Sequence, residues 1–537
     1  MRQRIFGRAT RARFVLAMLA PALVGSLCEG DGSGSPPRIV QSGVDPRCAP
    51  ISGAFPSGFD LLPGPLPLGV VMQFSPAKLL TFSLDSSPPR RVGDESVPTL
   101  PADSDGDGFD DADFYRAIGL CPSFNPACTT YPTPGALEAV YDDLVLLTTS
   151  GYEEVMFLEP MSGAPVAVTV ANPLAAGTHR PEDHPFLPPA GSEAPRTAIA
   201  TKVCVYPPSA FDSLGGAIAP EPLCDPGRPG YLTKFTAAAT TAGGRLFVAN
   251  SNLKSPSVAR FQPGTVLVFD FDERGAPIRI SPRTTRGVLF TNAFNPTGLT
   301  RYRTGAGRDL VLVSLTGAID AGGTLISDGG IDVIDVASLR VVAHIPLGRS
   351  GTSFGRIAIE PGGRVGLLGA ESARQIYAVD LRVLEDPALY SANGAPIVLD
   401  GSAAGFPDAR IHWADAPLRL PDRPDGPDIR LCPPRTNVAL NAAGDLAYVT
   451  DWCDGSLVII DVDVDAPSGQ PITADAFSIL SRANLLAPKT AAQYGRLSSP
   501  SMIRTRPDTT PAPFDEPDTY FIANEPDAQL CTVRVEL

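Results

Sequence analysis

The residues with the most specific chemistry are the carboxylates of Asp103-Ser104-Asp105-Gly106-Asp107-Gly108-Phe109-Asp110-Asp111-Ala112-Asp113. They stand at loop positions one, three, five and nine, with glycine at position six. Calcium is a hard cation that takes about six to eight oxygens at about 2.4 Å, and the glycine allows the sharp turn that gathers them. The spacing makes Asp103, Asp105 and Asp107 direct ligands, the Phe109 carbonyl another, and Asp111 a ligand through water. Position twelve, where a bidentate Glu is expected, is Phe114, and Asp113 stands one place early as its substitute. That departure puts the affinity at the weak end, which suits a calcium-rich extracellular medium. The competing reading is a solvated acidic loop that binds nothing.

Other constellations carry less. Gly351-Thr352-Ser353-Phe354-Gly355 has the spacing of a hydrolase nucleophile elbow, and His412 follows in the order a triad needs. An elbow requires strand, turn and helix, whereas Arg356-Ile357-Ala358-Ile359-Glu360 reads as another strand. Ser353 is therefore read as a loop residue. His179 and His184 lie in a Pro-rich stretch, where Pro181 opposes a helix that would bring both imidazoles to one face. Trp413 and Trp452 are the two tryptophans, and packing accounts for both without a ligand.

The elements around these residues repeat. Seven times a β-rich run, a turn and a second run recur, the second usually ending in Asp. The clearest copy is Gly444–Thr450, with Asp454-Gly455 as the turn, answered by Ser456–Asp461. The others pair Val70–Phe74 with Lys78–Asp85, Leu144–Thr148 with Glu154–Glu159, Leu246–Asn250 with Gly264–Asp270, Asp309–Ser314 with Gly330–Asp335, Gly363–Gly369 with Gln375–Asp380, and Tyr520–Asn524 with Gln529–Val535. One hairpin cannot bury both faces alone, so such units stack into a common core. The fold class expected is all-β, a β-propeller of seven blades with long loop insertions at about 93–136, 160–232 and 385–432, the first holding the small Asp-rich calcium loop.

Three tetrapeptides, Phe247-Val248-Ala249-Asn250, Tyr448-Val449-Thr450-Asp451 and Phe521-Ile522-Ala523-Asn524, resemble the YVTN signature of bacterial surface β-propellers. The resemblance runs over roughly residues 50 to 537, and the step from Asp335 to Asp380 is close to a blade of about 45 residues. Composition agrees: 57 Pro and 51 Gly in 537 residues suit many short strands joined by turns.

Arg2, Arg4, Arg8, Arg11 and Arg13 precede an apolar stretch from Phe14 to Leu27, the pattern of a secretory signal too short to span a bilayer. Residues 1–27 are read as signal peptide, 28–47 as a flexible tether and 48–537 as the propeller. Cys28 at the end of the apolar stretch resembles the lipidated cysteine of a bacterial lipoprotein, although Leu27 stands where that motif wants a small residue. Plain secretion with cleavage near Ser26 is the alternative. The localisation expected is the outer membrane or surface of a Gram-negative bacterium, or else the periplasm or medium.

With Cys28 set aside as a lipid carrier, eight of the nine cysteines remain, an even number suited to disulfides in an oxidising compartment. Neighbours in sequence are the expected pairs: Cys121 with Cys128, Cys204 with Cys224 and Cys432 with Cys453. Cys48 and Cys531 are left, flanking the repeats, and a bond between them would fasten the ring. Zinc is the rival, without a C-x₂-C pair to support it.

Removing residues 1–27 takes away five Arg and no acid, so the net charge moves from −15 to −20. So acidic a surface repels nucleic acid and anionic headgroups. Contact with a membrane is expected only through the N-terminal lipid.

The acidic loop resembles the calcium loops of thrombospondin type 3 and dockerin-like repeats. The reading is an exported, calcium-stabilised propeller that binds a protein or glycan of the cell envelope and is not an enzyme. Its alternative is a lactonase-like hydrolase with a metal in the central channel, which requires Asp, Glu, Asn or His side chains from several blades to converge on the axis.

Overall fold

The structure, a computed structural model, describes residues 40–41, 47–51, 54–64, 66–75, 78–93, 134–149, 154–172, 188–189, 191–201, 210–211, 217–218, 236–251, 262–272, 274–275, 277–283, 287–319, 325–348, 355–369, 375–391, 394–411, 418–419, 436–451, 456–464, 470–484, 500–505, 519–523 and 529–533. Nine sheets are present among these residues, and seven of them have four strands or more. Sheet 1 takes Ala54–Leu61, Leu68–Ser75, Lys78–Ser83 and Arg90–Arg91 from the axis outward. Sheet 2 takes Pro134–Tyr141, Leu144–Thr149, Glu154–Leu158 and Ala198–Ala200. Sheet 3 is built on Thr236–Ala242, Arg245–Asn250, Thr265–Asp272 and Ile278–Pro282. Sheet 4 is built on Pro296–Arg303, Asp309–Leu315, Gly329–Asp335 and Arg340–Gly348. Sheet 5 has Ala358–Ile359, Val365–Gly369, Gln375–Asp380 and Arg410–Ile411, with Leu418–Arg419 also pairing with Gln375–Asp380. Sheet 6 has Thr436–Leu440, Leu446–Asp451, Ser456–Val462 and Phe477–Asn484. Sheet 7 joins Pro500–Thr505, Thr519–Ala523 and Gln529–Val533 to Arg47–Pro50 from the start of the chain.

Each sheet packs against the next, and sheet 7 returns to sheet 1, so the architecture is an all-β propeller. Both faces of every blade are covered, which is why strands read as continuous apolar runs. Alternation survives as a choice of seam. Leu144 and Leu146 pack towards sheet 3, while Val145 and Leu147 pack towards sheet 1. Leu310 and Leu312 face sheet 5, and Val311 and Val313 face sheet 3.

The expectation of seven blades is corrected to five complete ones, sheets 2, 3, 4, 6 and 7, in which all four strands have three residues or more. Sheet 1 ends in a two-residue strand, and sheet 5 begins and ends with one. Proline explains two of these three. Pro88 and Pro89 lead into Arg90–Arg91, Pro361 follows Ala358–Ile359, and none can donate to a ladder.

The outer perimeter is laced. Before entering the fourth strand of its own sheet, the chain three times lays a short parallel strand on the fourth strand of a neighbour. Val168–Ala171 pairs with Ile278–Ile280 of sheet 3 on the way to sheet 2. Ile397–Val398 pairs with Ala343–His344 of sheet 4 on the way to sheet 5. Val40–Gln41 pairs with Ser481–Arg482 of sheet 6 on the way to sheet 7. The sheets are thus tied as 2 with 3, 4 with 5 and 6 with 7, and the laces cover three exposed edges.

Sheet 7 closes the ring with the first and last strands of the propeller. Cys48 lies directly opposite Cys531 in that ladder, and a disulfide joins them across 483 residues of sequence. The remaining cysteine pairs lie outside the described residues.

Backbones approach closely where sheets 4 and 5 meet. A Cβ on Gly298 would fall 1.9 Å from the Gly355 carbonyl oxygen, which is backbone and cannot turn aside. Gly298→Ala is expected to cost about 3 kcal/mol in urea unfolding. Gly394→Ala, with nothing within 4 Å of the new Cβ, serves as the control and leaves the midpoint within about 0.5 kcal/mol of the parent.

Candidate functional site

A propeller's innermost strands each leave one edge of backbone N–H and C=O groups without a partner strand, and those edges converge on the axis. In this chain charged side chains meet them there. Asp60 comes from the first strand of sheet 1 and Glu138 from the first strand of sheet 2. Arg504 comes from the first strand of sheet 7, and Arg356 from just ahead of sheet 5. Arg356 Nη1 donates to Asp60 Oδ2 at 2.8 Å, and its Nη2 donates to Glu138 Oε2. Arg504 Nε donates to Asp60 Oδ1 at 3.2 Å.

The pair also completes the free edge of sheet 2. Asp60 Oδ2 accepts from the Ala139 N–H at 3.0 Å, and Arg356 Nη2 donates to the Leu137 carbonyl at 2.9 Å. Carboxylate and guanidinium thus supply the acceptor and the donor that a neighbouring strand would have given. Thr240 of sheet 3 donates to Glu138 Oε1 at 3.0 Å, and Thr300 of sheet 4 accepts from the Ile357 N–H at 2.8 Å.

Two guanidiniums and two carboxylates balance within the cluster. The Asp60 side chain is 10% exposed, and burial alone would raise its pKa. The charges of Arg356 and Arg504, with the Ala139 hydrogen bond, outweigh that and hold the carboxyl below its ordinary value. Burial lowers the Arg504 pKa, aided by the like charge of Arg356 and opposed by Asp60, yet a guanidinium keeps its proton at any relevant pH. Gly355, directly before Arg356, has φ +77°, a left-handed conformation that favours glycine.

Carboxylates from two sheets do converge on the axis, as a channel enzyme requires. Both are committed to arginine, which competes with a cation for their lone pairs. Among the described residues no group of three or more His, Cys, Asp or Glu is close enough to hold a metal.

A second polar group lies farther out. Asp332, fully buried on sheet 4, accepts from the Asn292 N–H at 2.7 Å and from Asn292 Nδ2 at 2.9 Å, and meets His344 Nδ1 at 2.7 Å. The group pins the connection between sheets 3 and 4 to both outer strands of sheet 4.

The sequence-selected residues fare unequally. The calcium ligands Asp103, Asp105, Asp107, Phe109, Asp111 and Asp113, the anchor Cys28, and Ser353, His412, His179, His184, Trp413 and Trp452 lie outside the described residues. Asp335 and Asp380 finish strands at turns, whereas Asp270 lies inside Thr265–Asp272 and Asp461 inside Ser456–Val462. Asp335 accepts from the Ser338 N–H at 2.9 Å and from Arg308 at 2.9 Å, and Asp380 accepts from the Arg382 N–H at 3.0 Å. The signature tetrapeptide Phe247–Asn250 is buried, and Asn250 Nδ2 donates to the Thr201 carbonyl at 3.1 Å, fixing the chain that arrives from sheet 2. Asp60, Glu138 and Arg504 escaped sequence reasoning. The one available signal was a charge inside each otherwise apolar innermost strand, and nothing in the chain connects three such charges.

No protein-family model matches the chain, and no curated protein matches it. Solved propellers do resemble it. The β-propeller domain of Cps50 (Swd1) from Myceliophteria thermophila is 9% identical, with 91% of this chain and 99% of that one covered at a TM-score of 0.39. Hsv2 from Kluyveromyces lactis is 8% identical, with 90% and 98% covered at 0.38. A streptogramin B lyase is 9% identical, with 92% and 97% covered at 0.40. Likeness at this level adds nothing to the propeller class already visible in the sheets.

Removing Arg356 alone would leave Glu138 without its cation and Asp60 with Arg504 only. Arg356→Ala is expected to cost about 3–5 kcal/mol in urea unfolding, whereas Arg356→Met combined with Glu138→Gln, which leaves Asp60 paired with Arg504, costs less than Arg356→Ala. Acid tests the same cluster. Because the folded Asp60 pKa is depressed, its contribution is fully present above the unfolded value of about 3.9 and is lost as pH falls through the folded value. Unfolding midpoints measured between pH 7 and pH 2 should fall less steeply for Asp60→Asn than for the parent, and equal slopes would remove Asp60 from this role.

Proposed function

We propose that this chain is an exported, envelope-associated β-propeller of the bacterial surface type, acting as a non-enzymatic binding or scaffold module for a protein or glycan. The observation that carries the reading is the commitment of the axial side chains to one another. With Asp60, Glu138, Arg356 and Arg504 spent on closing the inner edges, recognition falls to the rims.

The two rims differ. One carries the turns between first and second and between third and fourth strands, and several are capped by side chains: Glu385 accepts from the Gly305 N–H at 2.7 Å, and Asn441 Oδ1 from the Gly444 N–H at 2.9 Å. The other carries the connections between sheets. The strand ends flanking residues 94–133, 173–187, 252–261, 349–354, 412–435 and 485–499 all lie on it, whereas those flanking 506–518 lie on the capped rim. The connection rim is the binding face in this reading, and it is the rim from which the Asp103–Asp113 loop departs. Calcium held by Asp103, Asp105, Asp107, Asp111 and the Phe109 carbonyl would order that loop, and a lipid on Cys28 would tether the propeller to its membrane.

The alternative, a lactonase-like hydrolase, draws on the convergence of Asp60 and Glu138 and needs a metal to displace arginine from them.

A pull-down of envelope extract with residues 29–537, run with calcium and with chelator, separates the readings. A specific partner retained with calcium is expected. No partner in either arm would sink the binding module and turn attention to metal-dependent hydrolysis. Calorimetry gives a second check: calcium should bind the same protein, and Asp105→Asn should weaken it by about tenfold or more, since it removes a direct charged ligand.

A further inference from the structure

We infer that the Cys48–Cys531 bond is a reducible latch whose opening frees the closing strand while the rest of the propeller stays folded. The strand it holds is slight. Arg47–Pro50 has four residues; Arg47 and Pro50 are exposed, Cys48 is half-buried, and Ala49 is its one buried side chain. Pro50 has no N–H to give to a ladder. Ile51 just beyond packs with Ala49 against Phe59, Leu80 and Leu530. On the other side Leu530 and Cys531 are fully buried, and Thr532 nearly so.

The bond therefore joins a thin edge strand to a well-packed one at the place where the two ends of the propeller meet. Every other sheet draws its first three strands, and its fourth, from stretches joined to one another without crossing this seam. Loss of the Arg47–Pro50 strand removes one outer strand from sheet 7 and leaves the other ladders intact. That is the condition for a local opening well below the cost of global unfolding.

Cys48 is the more exposed of the two half-cystines. A thiolate of a dithiol reductant attacks Cys48 Sγ, forming a mixed disulfide and breaking the bond to Cys531, whose sulfur leaves as thiolate and takes a proton. The reductant's second thiol loses its proton and attacks the reductant sulfur, releasing Cys48 as a thiol and closing the reductant's own disulfide. Two electrons pass from the dithiol to the protein.

The test uses oxidised protein of residues 29–537 with dithiothreitol as the dithiol, thiol trapping read by mass spectrometry, and hydrogen exchange. Cys48 and Cys531 should be trapped as thiols in native buffer. Exchange at Arg47 and Ala49, which flank the closely spaced Cys48–Cys531 pair in the ladder, should then quicken by about tenfold or more, with no change at Gly329–Asp335. The double variant Cys48→Ala, Cys531→Ala should show the same local exchange without reductant, which separates this bond from any other that dithiothreitol breaks. Resistance of the bond until denaturant unfolds the whole chain would overturn the latch. So would reduction that leaves exchange at Arg47 and Ala49 unaltered, or a double variant that fails to fold.

Discussion

The meeting of the sheets' inner edges on one axis is the constraint the rest of this propeller answers to. Burying a backbone N–H or C=O without a partner costs free energy comparable to a lost hydrogen bond, and an inner strand has no further strand to turn to. Asp60 and Arg356 resolve this for sheet 2 by standing in for the missing strand, and the charges of Arg356 and Arg504 keep the Asp60 carboxyl below its ordinary pKa despite burial. Buried ion pairs are weak evidence for stability, since a well-packed apolar substitute often does as well. Their value here is specification: the two carboxylates and two guanidiniums fit together only when sheets 1, 2, 5 and 7 take their proper places.

The perimeter follows a different rule. Outer edges face water and could recruit other strands, and the chain covers three of them with its own parallel laces. The sheets are tied in twos from outside and across the ring from inside. Between them the apolar seams supply most of the burial, with whole strands such as Leu144–Thr149 and Gly329–Asp335 shielded from solvent.

Much of the blade core was legible in the sequence because a hairpin's second and third strands are long, apolar and turn-bounded. Leu246–Asn250 with Gly264–Asp270 is one case, and Asp309–Ser314 with Gly330–Asp335 is another. First and fourth strands were not, since each shares its signal with whatever precedes or follows it. Two-residue strands such as Ala358–Ile359, Arg410–Ile411 and the laces Val40–Gln41 and Ile397–Val398 are too short to show a period at all. The same limit hid the axial cluster. Asp60 and Arg356 stand 296 residues apart and meet only through the closure of the ring, whereas Cys48 and Cys531 could be paired by counting. The Asp-rich loop is the reverse case, with its chemistry written in consecutive residues and its place in the fold given only by the strands on either side.

The closing of sheet 7 by the two ends of the chain has a consequence in time. Val40–Gln41 and Arg47–Pro50 are made well before their partners Ser481–Arg482 and Gln529–Thr532. At a synthesis rate of about 5–20 residues per second, the 483 residues separating Cys48 from Cys531 keep the earlier cysteine waiting for roughly half a minute to a minute and a half. Throughout that interval the nascent chain carries a free thiol on an unpaired strand at its leading end. A machinery that shields the leading end, or delays oxidation until the trailing end arrives, would decide how much of the chain matures as closed monomer and how much is lost to crossed partners.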